Sequence, residues 1–422
     1  MGEAARPSAL AHPPARAVRG ATLLLALLAA MAYAVTCVRK QLESGNDFPI
    51  YHAAARTLFS GGSPYQTETG LHGYVYPPFF ALAIAPLAAL PLPAAVVVWY
   101  AINIGLISVA LATVRRLLDE GAPGRIPRWA LPASALALGG WFFDNLALGQ
   151  VNIALLALTL AAALGFTGSR RDIGSGALLG LACAIKMHAA LLLLPALVRG
   201  RWRAGVGFAA GLAAAVALLP AAILGPGRTV GLMEEWTEKV IAPSQAGTLQ
   251  GSAIWDQSPQ AALRRLTVAE PAFGDVRVNL ASLTVAQFRR ASGALGAALL
   301  ALLLAVWIFG PAKGTRQSLL LDLGLAYCGT LLVVGFHLKA HFIALLLPGA
   351  LVVGGLGATR TERSRGLALL TACAVLLILS NPGIVGRAVS SWALAYSSMT
   401  LATLLLTGLL VTRRLSRTGV TR

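Results

Sequence analysis

The feature that most constrains the fold of this chain is a series of apolar runs separated by short, arginine-rich segments. The runs lie at about 21–38, 76–114, 128–145, 147–166, 173–198, 204–225, 291–309, 318–337, 341–359, 366–380 and 392–412. A membrane-spanning helix requires about 20 mainly apolar residues. Of the 422 residues, 57% are hydrophobic and 12% are charged, against about 25% charged in a soluble domain. A soluble enzyme is therefore excluded, and the sequence predicts an all-α polytopic membrane protein with about 11–13 transmembrane helices.

The distribution of charge predicts the orientation of the chain in the membrane. The formal net charge is +18, which in a soluble protein would suggest nucleic acid as a partner. With the N-terminus inside, the predicted inner segments carry +15, the outer segments +2 and Lys186 within an apolar run the remaining +1, as the positive-inside rule requires. The basicity therefore reflects topology, and no nucleic acid is expected as a partner. We predict cytoplasmic tails at 1–20 and 413–422, one transmembrane domain at 21–412, and outer loops at 39–75 and 226–290.

Three segments depart from a plain spanning helix. Residues 48–60 predict a short amphipathic helix on the membrane surface, since a proline stands in its first turn and two glycines follow it. The run at 76–114 contains five prolines and predicts either a re-entrant piece plus one helix or three short helices. The run at 173–198 has arginines on both flanks but is short for two full spans, so we expect two short or tilted helices that meet near Lys186. The first apolar run resembles a signal peptide, but the membranous chain after it favours a retained helix.

Polar residues beside or within apolar runs indicate where function lies, because burying them costs several kcal/mol each. On the predicted topology they gather at the outer face, whereas the inner face presents mainly arginines. The outer residues are Asp47, Asp144, Asn145, Gln150, Asn152, Lys186, Asp256, His337, Lys339 and His341. This asymmetry predicts a binding or active site that faces outward.

Each of these residues also has a structural interpretation. Asp47 could cap the helix that follows it, and Lys186 could extend its ammonium group to the membrane interface. Gln150 and Asn152 could bond to a neighbouring helix. A pair of histidines four residues apart suits a metal, but the sequence offers no third ligand beside it, so no metal is expected.

Several short motifs occur in a fixed order along the chain. They are D-F-P-I-Y-H-A-A-A-R at 47–56, G-G-S-P-Y at 61–65, Y-P-P at 76–78, G-Q-V-N at 149–152, G-L-A-C-A-I-K at 180–186, D-Q-S at 256–258 with arginines at 264 and 265, and the helix start at 341–348. This arrangement resembles glycosyltransferase family 87, whose members include polyprenol-phosphate-mannose-dependent alpha-1,2-mannosyltransferases.

The resemblance implies a GT-C type membrane glycosyltransferase of the bacterial inner (plasma) membrane, with its active site facing the periplasm or cell exterior. It implies a sugar donor linked to polyprenyl phosphate, with mannose favoured, a glycolipid or glycan acceptor, and contact with membrane lipids. No cofactor is implied. Asp47 would be the general base of a single inverting displacement.

The resemblance also implies roles for other residues. Binding of the donor phosphate is implied for Lys186, His341, Arg264 and Arg265. Substrate contacts are implied for Tyr51, Arg56, Tyr76, Gln150, Asn152, Asp256 and Gln257.

Two other functions fit a helical membrane protein with polar residues at helix ends. A secondary transporter would place its site near the bilayer midplane, whereas the polar residues here gather at the outer ends of the runs. A lipid-binding or assembly factor would need no general base. The sequence therefore favours a glycosyltransferase, with an outward-facing transporter as the main alternative.

Overall fold

The structure is a computed structural model that describes residues 15–43, 46–66, 73–168, 171–245, 253–311, 314–355 and 360–416. Within these ranges the regular secondary structure is helical, which confirms the predicted all-α class. Parts of the predicted tails and of both outer loops lie outside the described residues.

The helices follow one another in chain order with short connections. The N-terminal half contains α1 Ala15–Gln41, α2 Asp47–Phe59, α3 Pro78–Ala88, α4 Leu92–Gly121, α5 Ala130–Ala137, α6 Gly139–Leu148, α7 Asn152–Thr167, α8 Asp172–Ile185, α9 Leu194–Val198 and α10 Trp202–Ala213. The C-terminal half contains α11 Leu219–Leu224, α12 Pro226–Trp236, α13 Ala242–Gln245, α14 Pro259–Thr267, α15 Val285–Phe309, α16 Arg316–Leu332, α17 Leu346–Val353, α18 Arg360–Leu379, α19 Pro382–Ala395 and α20 Ser398–Leu415. Shorter 3₁₀ and π turns lie at Pro64–Gln66, Met187–Leu193, Ala214–Leu218, Thr237–Ile241 and Lys339–Leu345.

Three helices in the described ranges are long and apolar enough to cross a membrane by length and composition: α4, the continuous helix Trp202–Leu224, and α15. A further apolar pair, Thr371–Leu379 and Pro382–Ala395, is bent by 88° between its two parts. Shorter apolar helices lie at Pro78–Ala88, Asn152–Thr167, Asp172–Ile185, Met187–Val198 and Lys339–Val353. The chain is a multi-pass membrane protein, and the number of 11–13 spanning helices stays a prediction.

The three unusual segments fold much as the sequence predicts. The predicted helix over 48–60 is α2, within one residue at each end, and its position on the membrane surface stays a prediction. The proline-rich run forms two helices, α3 and α4, so the alternative of three short helices is wrong. The run around Lys186 is confirmed as two short pieces: α8 ends at Ile185, Lys186 has extended backbone, and a 3₁₀ turn then leads into α9. By contrast, the run at 128–145 is broken into α5 and α6.

Close packing against α10 fixes the position of α8. The contact is lined by two glycines from each helix, Gly176, Gly180, Gly207 and Gly211. A Cβ atom at Gly180 would lie 2.3 Å from the carbonyl oxygen of Phe208, so no larger residue fits. Small residues four apart allow helix backbones to approach in this way in membranes. The packing holds the end of α8, and with it Lys186, in a defined place.

The centre of the molecule is α16, in which every residue from Gln317 to Leu332 is buried. Its Asp322 forms ion pairs with Arg199 at 2.5 Å and with Arg414 at 2.6 Å. A buried carboxylate needs such partners because an isolated charge is costly to bury. The three residues come from segments that the charge pattern assigns to the inner face, and the structure brings them together.

Candidate active site

Asp47 begins α2, and its carboxylate points to other side chains. One oxygen accepts a hydrogen bond from Nε2 of Gln150 at 2.7 Å, and the other accepts from the hydroxyl of Tyr51 at 3.3 Å. The residue at the helix cap is Asn46, whose side chain makes no capping bond. The interpretation of Asp47 as a helix cap is therefore wrong.

The surroundings of Asp47 make its carboxylate a stronger base than an exposed aspartate. Burial raises the pKa of Asp47, while the charge of Lys186 and the hydrogen bonds from Tyr51 and Gln150 oppose that rise. The net direction is upward. Since the side chain is only partly buried by surface area, a substrate hydroxyl can still reach it.

A left-handed glycine brings Gln150 to Asp47. Gly149 has φ +70°, a conformation that side chains disfavour. A Cβ atom there would lie 2.5 Å from Cβ of Phe48, next to Asp47 in α2. The carbonyl oxygen of Gly149 accepts a hydrogen bond from Nε1 of Trp99 at 3.0 Å. The turn between α6 and α7 thus contacts the first turn of α2 directly.

Two buried amide side chains connect Asp47 with Lys186. Oε1 of Gln150 accepts from Nδ2 of Asn152 at 2.9 Å, and Oδ1 of Asn152 accepts from Nζ of Lys186 at 2.7 Å. Nδ2 of Asn152 also donates to Oδ1 of Asn145 at 3.0 Å. Gln150 and Asn152 are 2% and 4% exposed, so this path is shielded from solvent.

Lys186 also contacts His341, with Nζ 2.7 Å from Nε2 of the imidazole. Nδ1 of His341 accepts the backbone N–H of Leu338 at 3.1 Å, and a backbone N–H can only donate. The proton of a neutral His341 therefore resides on Nε2. Lys186 donates to Asn152 and contacts His341, so its ammonium group lies among polar side chains of the protein. These contacts account for its charge without an ammonium group that extends to the membrane interface.

Tyr76 lies between the carboxylate and the lysine. Its hydroxyl is 3.1 Å from that of Tyr51, and its ring centroid is 5.9 Å from Nζ of Lys186. Its carbonyl oxygen accepts from the hydroxyl of Tyr65 at 2.9 Å, which anchors the backbone. An ammonium near a tyrosine ring is stabilised by the ring quadrupole. The Y-P-P segment thus supports both ends of the polar network.

Two further histidines surround His341. The ring of His188 is 6.1 Å from that of His341 and 5.8 Å from that of His337, and the last two rings are 5.3 Å apart. No group of three or more His, Cys, Asp or Glu residues in the described ranges is arranged to hold a metal ion. The three imidazole rings pack together next to the contact between Lys186 and His341.

The D-Q-S segment connects the predicted large outer loop to the turn before His341. Oδ1 of Asp256 accepts the backbone N–H groups of Ser258 and His337, both at 2.9 Å. Nε2 of Gln257 donates to the carbonyl oxygens of Ile254 and Leu394, both at 2.8 Å. Substrate binding by Asp256 and Gln257 stays a prediction. Their observed hydrogen bonds hold the loop in place.

The three predicted arginines lie in different environments. Arg264 forms an ion pair with Glu270 at 2.9 Å. Arg265 is 1% exposed and donates to backbone carbonyl oxygens, including that of Asp256 at 2.7 Å. Arg56 is exposed on α2. Phosphate binding by Arg264 and Arg265 and substrate contact by Arg56 stay predictions. Of the residues predicted to bind the donor phosphate, Lys186 and His341 are in contact with each other.

Taken together, the fold and the site define a multi-pass helical membrane protein with an enclosed network that joins a carboxylate to a lysine–histidine pair. The model of glycosyltransferase family 87 matches residues 74–335, which is more than half of the chain. The chain belongs to this family and is a glycosyltransferase. This finding confirms the predicted enzyme class over the transporter alternative.

Curated relatives of the chain carry names that agree with this family. One is the polyprenol-phosphate-mannose-dependent alpha-(1-2)-phosphatidylinositol mannoside mannosyltransferase of Mycobacterium tuberculosis, 27% identical over 80% of this chain and 76% of the relative. The protein of that name from Mycolicibacterium smegmatis is 32% identical over 51% of this chain and 49% of the relative. No solved structure matches the chain.

Proposed function

We propose that this enzyme transfers mannose from polyprenyl-phosphate-mannose to a phosphatidylinositol mannoside or similar glycolipid, at the outer face of a bacterial inner membrane. The names of the relatives support the donor and the acceptor class. The observation that carries the mechanism is the hydrogen-bonded path from Asp47 through Gln150 and Asn152 to Lys186. It joins a candidate base to a candidate phosphate-binding cation in one rigid unit.

The proposed reaction is a single in-line displacement. Asp47 accepts the proton of an acceptor hydroxyl while that oxygen forms a bond to the anomeric carbon. The bond between the anomeric carbon and the phosphate oxygen breaks, and polyprenyl phosphate leaves with the bonding electron pair. Attack opposite the leaving group inverts the configuration at the anomeric carbon.

Stabilisation of the leaving phosphate is assigned to Lys186 and His341. With the proton of a neutral His341 on Nε2, this N–H and the ammonium group of Lys186 are both donors. The 2.7 Å contact between the two nitrogens would therefore widen when a phosphate oxygen accepts from both. Preorganised donors of this kind are most effective where charge develops during the reaction.

The separation of base and cation suits this displacement. The attacking and leaving oxygens must lie on opposite sides of the anomeric carbon, so the base and the cation must stand apart. Two amide side chains separate Asp47 from Lys186 along the path. The ring of Tyr76 lies 5.9 Å from the ammonium group, and its hydroxyl is 3.1 Å from that of Tyr51, which bonds to Asp47.

The donor class is tested by transfer assays in membranes that contain the expressed protein. With phosphatidylinositol mannoside as acceptor, radiolabelled polyprenyl-phosphate-mannose is expected to give labelled glycolipid. Nucleotide-linked mannose is expected to give none when synthesis of the lipid-linked donor is blocked. Membranes without the protein provide the background. Equal labelling from the nucleotide-linked donor under the block would contradict the proposed donor.

The acid limb of the pH–rate profile is expected to report Asp47. Because the pKa of Asp47 is raised, the limb should lie above the ordinary aspartate value of about 4, and activity should fall as pH falls through it. The hydrogen bond from Gln150 stabilises the ionised carboxylate. Gln150→Leu should therefore raise this pKa further and move the limb to higher pH by about one unit.

A matched control is Asn103→Leu, which removes a buried amide of α4 that bonds to the carbonyl oxygen of Trp99. This variant should leave the position of the acid limb unchanged. An unchanged limb in Gln150→Leu would mean that the group titrating there is not Asp47 in the observed network.

A further inference from the structure

An exposed tryptophan stands at the outer end of the molecule beside a lysine. Trp255 is 58% exposed, although the residues that follow it, Asp256 and Gln257, are buried. Nζ of Lys339 lies 5.7 Å from the indole centroid and also donates to the carbonyl oxygen of Ser380 at 3.3 Å. The ammonium is thus held in place, and much of the indole surface remains open to a ligand.

A carboxylate near this lysine, Asp144, accepts no hydrogen bond within the described part of the chain. Asp144 is only partly buried. Its charge interacts with Lys339 and with Lys40, but neither forms an ion pair with it in the described ranges. A carboxylate in this state is ready to accept hydrogen bonds from a bound molecule.

These groups adjoin the candidate active site. Asn145, next to Asp144 in the chain, donates to the carbonyl oxygen of Ala340 at 2.8 Å and accepts from Asn152 of the buried path. Lys339 stands two residues before His341. The segment of Trp255 is tied to the same turn, since the N–H of Gln257 donates to the carbonyl oxygen of His337 at 2.8 Å.

We propose that Trp255, Lys339 and Asp144 form a subsite for a hexose ring of the acceptor glycolipid. This inference rests on the proposed function and names a site for its acceptor. One face of a hexose presents C–H groups that stack on an indole, which combines a large apolar body with a polar N–H. The hydroxyl groups of the ring can donate to Asp144 and accept from Lys339. A few polar groups beside an aromatic surface fix the orientation of a ligand in this way.

The charges favour a sugar over the lipid phosphate at this position. A phosphate is negatively charged and its ionised oxygens only accept hydrogen bonds, so the carboxylate of Asp144 would repel it. A sugar hydroxyl both donates and accepts, and it can use both charged groups at once. The subsite would thus hold the acceptor glycan beside the buried path, next to Asn145 and Ala340.

Acceptor kinetics at saturating polyprenyl-phosphate-mannose test this proposal in the full-length protein, with phosphatidylinositol mannoside as the varied acceptor. Trp255→Ala should raise the acceptor KM about tenfold and change kcat little. Trp255→Phe should restore most of the affinity, since it keeps an aromatic face. Asp144→Asn, which retains shape but loses the charge, should also raise the acceptor KM. The matched control is Trp129→Ala, because Trp129 is 56% exposed and lies at the predicted inner end of the apolar run at 128–145.

Release of free mannose from the donor without acceptor separates this proposal from the proposed function. Trp255→Ala should keep the wild-type rate of this hydrolysis and the wild-type donor KM. An unchanged acceptor KM, or an equal rise in the KM values of donor and acceptor, would overturn the subsite alone. Absence of all donor turnover in the wild-type protein would overturn the proposed function, and the subsite with it.

Discussion

Replacement of Asp47 by asparagine is expected to reduce mannosyl transfer by roughly 10²-fold or more, because the amide cannot accept the proton of the acceptor hydroxyl. The substitution should leave the fold intact. An asparagine oxygen can still accept from Gln150 at the position of the carboxylate oxygen, and the amide nitrogen can face the hydroxyl of Tyr51. Activity per folded protein, with thermal unfolding measured on the same sample, checks both statements.

The control for this prediction is Asp275→Asn, which removes an exposed carboxylate from the predicted outer loop. It should retain wild-type turnover. Binding of polyprenyl-phosphate-mannose should also persist in Asp47→Asn, since the groups assigned to the phosphate are unchanged. A fully active Asp47→Asn enzyme would remove the base from the mechanism, and Asp256 would become the next carboxylate to test.

Replacement of Lys186 by methionine is expected to cut turnover by about 10²- to 10³-fold, the usual effect of removing one group that stabilises developing charge. The variant should fold, because removal of the ammonium also removes the cost of burying it. Methionine is unbranched and fills a similar volume. Donor binding and turnover in detergent, compared with the unfolding temperature, separate loss of chemistry from loss of structure.

The matched control is Lys239→Met, since Lys239 is a half-exposed lysine of the predicted outer loop that pairs with Glu235 at 2.5 Å. Its loss should change turnover little, as expected for a surface ion pair. Lys186→Arg should not fully rescue activity, because the planar guanidinium cannot reproduce the contacts of a compact ammonium with Asn152 and His341. Full activity in Lys186→Met would show that Lys186 does not stabilise the leaving phosphate.

Much of the local structure was predictable because short-range rules decide it. Proline and glycine at either end mark α2, and the equal basic flanks of the run around Lys186 imply a break within it. The contact of Asp47 with Tyr51 follows from i,i+4 spacing on a helix. The glycine pairs of α8 and α10, which are in close contact, also form G-x-x-x-G patterns in the sequence.

The assembly of the site could not be read in the same way, because its bonds join residues far apart in sequence. Gln150 meets Asp47 across 103 positions, and Lys186 meets His341 across 155. Gln150 and Asn152 were predicted to touch substrate, yet their contacts make them a link between base and cation. Motif order indicated which residues matter, while helix packing determined their partners.

Arginines show a related limit of sequence interpretation. A charged residue near an outer site suggests phosphate binding, but the guanidinium of Arg265 is largely occupied by backbone carbonyl oxygens and by the hydroxyl of Ser397 at 2.6 Å. Which carbonyls lie within reach depends on the path of the loop, and no local pattern encodes that path. The same holds for Arg264 and its ion pair with Glu270.

The most direct test of the account is the stereochemistry and stoichiometry of one round of transfer by the purified protein. Polyprenyl-phosphate-mannose of defined anomeric configuration is incubated with phosphatidylinositol mannoside in lipid nanodiscs, and the product is analysed by NMR and mass spectrometry. The account predicts one polyprenyl phosphate released for each mannose transferred, with the opposite anomeric configuration in the product. Retention of configuration, or the same transfer rate with Asp47→Asn, would contradict a single displacement with Asp47 as its base.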